Sequence, residues 1–555
     1  MSSNEIVPKL FTLLKKGIPK QQIFSDIISG IIVGIIALPL AIAFAIASGV
    51  TPEKGIITAI VGGLIISIFG GSRVQIGGPT GAFIVIVFSI VMKHGLNGLY
   101  IATFMAGIIL VIMGLLKLGS LLKFIPQTLI TGFTSAIAVI IFTTQISDFL
   151  GLEIPHLPSE FIGKWTAYFY HLEFINYWSL MISLMTILII VVLPKISSKI
   201  PWAFVAILAT SLIVYAFKLP IDTIYTRFGN IAFAMPKLMF FTINLDVLKE
   251  LFVPAISIAI LGSLESLLSA VVADSMIGGK HRSNMELIAQ GAANIVLPLI
   301  GGIPATGAIA RTAANIKNGG RTPIAGIVHA LFLLCVYLFA MPVIKYIPMA
   351  TLAGVLMVVA WNMSEAKVFI NSLKIDFYET VVLLTTFILT ILTDLTIAIP
   401  IGFVLAIILF MKRMADSIEI TPLLSTKADD DTIFSQEIGK YSKNIMIFEL
   451  NGPMFFGSAH SLLSINKTMN SNYRIIILRF RYVPIMDTSA LSRLNSLVKD
   501  LRKTNCDILI SGANEKIEKK LLQNHILEKE EIVKTINEAV NKAEIMIKNK
   551  AILVK

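Results

Sequence analysis

The chain has 555 residues, 55% of them hydrophobic and 14% charged, with a net charge of +12 and a mean hydropathy of +0.83. That balance excludes an ordinary soluble globular protein and indicates a polytopic membrane protein. The basic residues are not gathered into a stripe with interleaved aromatics, which argues against nucleic-acid binding, and two widely separated cysteines, Cys335 and Cys506, exclude a disulfide framework or a CxxC metal site.

A short amino-terminal segment, 1–22, precedes the first apolar run. That run is too long, and followed by too many others, to be a cleaved signal, although "AIASG" at 45–49 has the look of a cleavage site. Windows of roughly 20 apolar residues suffice to cross a bilayer core of about 30 Å. They predict fourteen spans: 23–49, 55–70, 79–93, 98–117, 125–148, 178–194, 202–218, 250–276, 284–302, 305–317, 324–344, 348–363, 378–396 and 398–415. Loops after the even-numbered spans are short and cationic, with Arg73, Lys117, Lys123, Lys195, Lys199, Lys280, Arg282, Lys317, Arg321, Lys367 and Lys374. The amino terminus adds Lys9, Lys15, Lys16 and Lys20. The opposite loops are acidic to mixed (Asp148, Glu153, Glu160) or nearly uncharged. The positive-inside rule therefore puts both termini in the cytoplasm.

Composition changes near Lys412. The membrane domain is expected over 23–415, a linker over 416–432 and a cytoplasmic domain over 433–555. In the tail, strands at 445–450, 474–480 and 507–511 alternate with helices at 457–469, 489–503, 514–524 and 532–548, the pattern of an α/β domain.

Two strings interrupt the apolar runs: "IGGPTGAF" at 76–83 and "GGIPATGAIAR" at 301–311. Their glycines and prolines break a continuous helix, and broken backbone at membrane depth is tolerable only where protein buries it or a cavity needs it. Each break starts a half-helix, whose free N–H groups and positive dipole end attract an anion. Matched breaks in two halves point to a transporter's substrate site, and seven spans per half would invert one half relative to the other. The alternative is that the glycines serve close helix packing. Arg311, one turn into the second half-helix, adds positive potential or forms a structural ion pair. Glu265, flanked by apolar residues in "LGSLESLLSA", is either a protonatable coupling group or the fixed partner of Arg311. Ser269, one turn on, is a cation or proton-relay ligand or a packing residue. The seven histidines are scattered, so no metal, cofactor or catalytic residue is expected.

These strings, with "DIISGIIVGIIALPLAIAFAIASGVTPEKGI", "ESLLSAVVADSMIGGKHRSNMELIAQGAANI", "GGIPATGAIARTAANIKNGGRTP" and "RYVPIMDTSAL", resemble the sulfate permease (SulP) anion transporters over nearly the whole chain. The resemblance implies an α-helical polytopic fold of fourteen spans, arranged as a 7+7 inverted repeat with core and gate domains, plus a cytoplasmic α/β STAS-like domain. It implies a homodimer in a bacterial inner membrane that moves a small anion by an elevator-like motion. It places the anion at Gly78, Pro79, Thr80, Gly81, Ala82 and Phe83, facing Thr306, Gly307, Ala308, Ile309, Ala310 and Arg311, with Phe44 and Ala41 completing the pocket. Glu265 and Ser269 stand where coupling residues lie and resemble proton symporters more than sodium-coupled bicarbonate carriers. Ala310 stands where animal exchangers often carry serine. In the tail, Ser489 occupies the position phosphorylated in related antagonists, but "DTSAL" has Ala490 in place of glycine, and Asp487 is expected to cap the next helix. A cytoplasmic protein is a candidate partner of that domain. The leading expectation is proton-coupled transport of sulfate or a related oxyanion. Sodium-coupled bicarbonate transport, proton-coupled dicarboxylate transport, exchange, an anion channel, a neutral-solute carrier and a membrane sensor or motor are the alternatives.

Overall fold

The computed structural model describes residues 6–553 apart from 121–125, 155–156, 159, 197–199, 230–237, 239–244, 375, 394, 424–443, 459–461, 463–464 and 466–472. The expected helix at 457–469 falls largely outside the described residues, as do most of the expected linker, Lys123, Lys199, His156 and His460. The chain divides into two units, Met1–Val404 and Leu405–Lys555.

Each of the fourteen expected spans coincides with helix. Seven stretches among the described residues are long and apolar enough to cross a membrane, and Trp202–Phe217, Ile324–Phe339 and Phe377–Leu392 are shorter apolar helices. The third and fourth spans form one stretch, Ile84–Leu115, broken at Gly95, whose φ of 66° and ψ of −169° are not helical. The tenth, Ile309–Lys317, has 9 residues. At 1.5 Å per residue it is about 14 Å long, less than half a bilayer core.

The spans sort into two groups. Lys20–Ala47, Pro52–Phe69 and Ile84–Leu115 pack with Leu245–Ile277, Ser283–Leu299, Ile309–Lys317 and Ile324–Phe339. Gln127–Leu150, Tyr177–Val192 and Trp202–Phe217 pack with Met349–Met363, and Phe377–Leu392 packs on Gln127–Leu150. In the first group, Ile84–Leu115 and Ser283–Leu299 run so close that a Cβ on Gly107 would sit 2.8 Å from Gly291 O, and one on Gly291 2.6 Å from Gly107 O. Small residues allow this approach where dispersion, rather than hydrophobic burial, joins helices.

The two interruptions meet. Gly77–Gly78 (β1) pairs antiparallel with Thr306–Gly307 (β2), with Gly77 opposite Gly307 and Gly78 opposite Thr306. Side chains from neighbouring helices supply the remaining partners of the irregular backbone. Asn294 accepts Ala305 N–H at 2.9 Å and donates to Ala305 O at 2.8 Å. Asn315 donates to Val74 O at 2.8 Å, and Ile76 N–H donates to Thr312 Oγ1 at 3.1 Å. Thr58, in a π-helical turn of the second span, accepts Ile303 N–H at 2.8 Å. Fully buried Glu286 accepts Gly71 N–H at 2.8 Å and Ser72 N–H at 3.0 Å.

The second unit holds a five-stranded sheet in the order β3-β4-β5-β6-β7: Glu419–Pro422, Ile445–Asn451, Ile475–Tyr482, Asp507–Ser511 and Ile532–Val533. The last four run parallel and β3 is an antiparallel edge. Strand alternation divides the core between two faces. Met446, Phe448, Ile476 and Leu478 pack under Thr488–Lys503 and Glu515–Gln523, whereas Ile445, Ile447, Ile475 and Ile477 pack with Ala539, Val540 and Ala543 of the last helix. Two features depart from the sequence expectation. Residues 419–422, inside the expected linker, pair with β4. Residues 532–533, expected as the start of a helix, are strand, and the helix begins at Ile536. Asp487 caps Thr488–Lys503 by accepting Ala490 N–H at 2.8 Å, and also accepts Phe456 N–H at 3.0 Å.

Two variants test this packing. A Cβ on Gly307 would fall 1.4 Å from Gln75 Nε2, which itself donates to Ser266 Oγ at 2.9 Å. Gly307→Ala therefore destabilises by about 2 kcal/mol, read as a lowered thermal midpoint. Gln75→Ala/Gly307→Ala is more stable than Gly307→Ala alone, and no recovery would refute the clash. Asp487→Ala removes a helix cap worth about 1 kcal/mol, so amide exchange in the first turn of Thr488–Lys503 quickens about five-fold while β5 remains protected.

Candidate functional site

A cavity of about 320 Å³ lies where the two helix groups meet. Its walls include Thr80, Gly81, Ala82, Ala308, Ile309, Ala310 and Arg311 from the two interruptions, Phe44 from the first span and Glu265 from the eighth. The antiparallel pairing of β1 and β2 explains the convergence. Each strand leads into a helix start, a 3-10 turn at Gly81–Phe83 and the Ile309–Lys317 half-helix, so both amino ends face one space. The first N–H groups of a helix have no intrahelical acceptor and carry its positive dipole end.

Arg311 is 2% exposed. Its Nη2 donates to Pro79 O, crossing from one interruption to the other, and its Nη1 has no partner among the described residues. A buried guanidinium needs acceptors for its donors. Nη1, packed against Gly78, therefore leaves the guanidinium short of an acceptor among the described residues. Gly78, at φ +149°, allows this arrangement, because a Cβ there would approach Nη1 to 2.6 Å. Glu265 Oε2 accepts the Thr80 hydroxyl at 2.7 Å. Among the described ion pairs none joins Glu265 to Arg311. The carboxylate and the guanidinium share the cavity, each held by a different group of the first interruption.

The other expected residues lie behind the wall. Gly78, Thr306 and Gly307 make the small sheet, and Thr306 Oγ1 donates to Gly262 O at 2.7 Å. Phe83, 2% exposed, lies against Gly262. Ala41 is buried with its carbonyl against Gly55. Ser269 is buried and donates to Thr312 Oγ1 at 3.1 Å. It braces the half-helix and does not line the cavity.

Sequence reasoning missed the wall supplied by the second helix group: Leu129, Phe133 and Thr134 from one helix, Asn362 and Met363 from another, and Glu365 just beyond its end. Asn362, a polar residue near the end of an apolar span, was the available signal. Glu365 has a left-handed backbone (φ 43°) that its sequence neighbours do not announce. The resulting lining is mostly apolar, with a few polar groups aimed inward, as small-ligand sites commonly are.

Comparisons with known proteins agree with this architecture. The sulfate permease family profile matches residues 23–386 and the STAS domain profile matches 440–540. The chain is 41% identical over 504 residues to YvdB of Bacillus subtilis (strain 168), covering 90% of this chain and 93% of that one. It is 29% identical over 480 residues to BicA, a bicarbonate transporter of Synechocystis sp. (strain ATCC 27184 / PCC 6803 / Kazusa), covering 84% of each. The transmembrane domain of a cyanobacterial BicA superposes with a TM-score of 0.62 at 30% identity, over 70% of this chain and 98% of that structure. The murine anion transporter Slc26a9 superposes with a TM-score of 0.85 at 17% identity, over 97% of this chain and 94% of that one, a likeness of fold. The chain therefore belongs to the sulfate permease family and carries a STAS domain at its carboxyl-terminal end.

Proposed function

We propose that this protein is a secondary active carrier of a small oxyanion, coupled to protons, working by elevator-like alternating access in the bacterial cytoplasmic membrane with both termini inside. The observation that carries the reading is the convergence of two helix amino ends on one cavity with the unpartnered Nη1 of Arg311. The anion sits between the N–H groups near Gly81–Ala82 and Ile309–Arg311, its oxygens accepting from backbone and guanidinium. Backbone donors read charge and size rather than a particular carbon skeleton, so sulfate-like and bicarbonate-like ions fit the same donors. YvdB carries a provisional sulfate-transporter name and BicA a bicarbonate-transporter name, which supports that substrate class.

Glu265 supplies the coupling. Ionised, it offsets Arg311, and an entering anion adds uncompensated negative charge to a mostly apolar cavity. Protonated, it leaves the positive charge of Arg311 to the anion and can itself donate a hydrogen bond. Proton and anion therefore enter together. The turning of Ser269 toward Thr312, away from the cavity, supports protons over sodium, because Ser269 then offers no oxygen to a cation beside Glu265. The second helix group forms one wall and the first carries both half-helices, which supports a motion of one group against the other. A STAS-mediated homodimer and a cytoplasmic protein partner for that domain belong to the same proposal.

Two experiments test it. Proteoliposomes are offered sulfate, bicarbonate, succinate and chloride under an inward proton gradient, an inward sodium gradient and neither. One oxyanion accumulates with the proton gradient alone, and uptake rises as external pH falls, because protonation of Glu265 precedes anion entry. Glu265→Gln abolishes that accumulation and flattens the pH profile while anion counterflow persists. Sodium-driven accumulation, or an unchanged pH profile in the variant, overturns the coupling. Arg311→Ala, checked for a monodisperse folded state, weakens anion affinity about ten- to a hundred-fold, as loss of a charge-assisted donor predicts. Unchanged affinity makes Arg311 a brace for Pro79.

A further inference from the structure

The helix Lys9–Lys16 is not used by the transport site, and its two faces differ. One face is fastened to the first unit. Leu10 is buried, Lys9 N–H donates to Gly70 O at 2.9 Å, and Lys9 Nζ donates to Lys280 O at 2.8 Å. Arg282 Nη1 donates to Val7 O at 2.7 Å and to Thr12 Oγ1 at 2.8 Å. The other face is apolar and open: Phe11 is 43% and Leu14 54% exposed. The first span, which follows in the chain, also exposes Phe24, Ile27, Ile28 and Ile31. Lys15, Lys16 and Lys20 are exposed beside it, and residues 6–25 contain no acidic side chain.

Cations also gather beneath the helix. Burial holds Lys9 below the ordinary lysine value, and Arg282 and Arg73 push it lower still. Asp274 acts the other way, but its carboxylate is already bonded to the backbone and ring of His281, each at 2.7 Å. Arg73 Nε has no hydrogen-bond partner among the described residues. Like charges packed at this density favour an anion beside them, and the chain runs from this helix within a few residues into a membrane-spanning one.

We propose that this corner is a docking surface for anionic phospholipid. The Lys9–Lys16 helix lies in the bilayer interface, Phe11 and Leu14 enter the acyl boundary, and Lys15, Lys16 and the Lys9–Arg73–Arg282 cluster hold phosphate headgroups. Interfacial helices bind by this combination of buried apolar face and basic flank. The helix is bonded to the 70–73 and 280–282 loops, which flank the second, eighth and ninth spans, so bound lipid steadies the helix group that carries the transport site. An acidic protein segment fits the cations but leaves the exposed Phe11 and Leu14 uncovered.

The test uses the purified full chain in neutral detergent, with thermal stability as the readout. Short-chain phosphatidylglycerol raises the midpoint saturably, whereas phosphatidylcholine, inorganic phosphate and polyglutamate do not. Lys15→Gln/Lys16→Gln, two exposed positions, weakens the apparent affinity for phosphatidylglycerol about 25-fold, roughly five-fold per lysine, and Phe11→Ser/Leu14→Ser weakens it independently. Equal shifts from phosphatidylcholine overturn the headgroup role, equal shifts from phosphate or polyglutamate overturn the lipid, and a wild-type response in both double variants overturns the site.

Discussion

Backbone broken inside a membrane must be satisfied by the protein itself, and the first unit is organised around that requirement. Water is absent from a bilayer core, so each orphaned N–H or C=O costs several kcal/mol. This chain breaks its backbone twice and lets the breaks satisfy one another. Gly77–Gly78 and Thr306–Gly307 exchange sheet hydrogen bonds, and Asn294, Asn315, Thr312, Thr58 and Glu286 meet the flanking groups. The polar side chains in these otherwise apolar helices therefore have a structural task. The glycines do too, because side chains at Gly78 and Gly307 would collide with Arg311 and Gln75.

The same solution creates the site. A strand that ends in a helix start leaves donors at its tip, and two such strands side by side put both sets of donors into one space. Arg311 ties them together through Pro79 O, and its other terminal nitrogen has no partner among the described residues. Thr80 then holds Glu265 at the edge of the same cavity. Residues that support the broken backbone thus also line the cavity, which is why substitutions here have to be read with separate measures of folding and binding.

The tail follows simpler rules. Strand alternation sends one set of side chains beneath two helices and the other beneath the last, and local caps fix where helices begin. Its α/β character was legible because a period of two and a period of 3.6 alternate over short distances. The edge strand at 419–422 was not legible. Four residues beside a charged, low-hydropathy stretch carry no periodicity, and only their pairing with β4 defines them.

Sequence by itself located the apolar helices of the first unit, because hydrophobic length is a local property set by bilayer thickness. It also determined the two interruptions, since glycine and proline act on the backbone where they stand. Tertiary structure decided which residues line the cavity. Of the predicted positions, Phe44, Thr80, Gly81, Ala82, Glu265 and Ala308 through Arg311 line the cavity, whereas Ala41, Phe83, Thr306 and Ser269 support it from behind. The wall at Phe133, Thr134, Asn362 and Met363 comes from helices far away in the chain. Which face of a nearly uniform apolar helix turns inward is set by the helix it packs against, and that partner is not written in the helix's own residues.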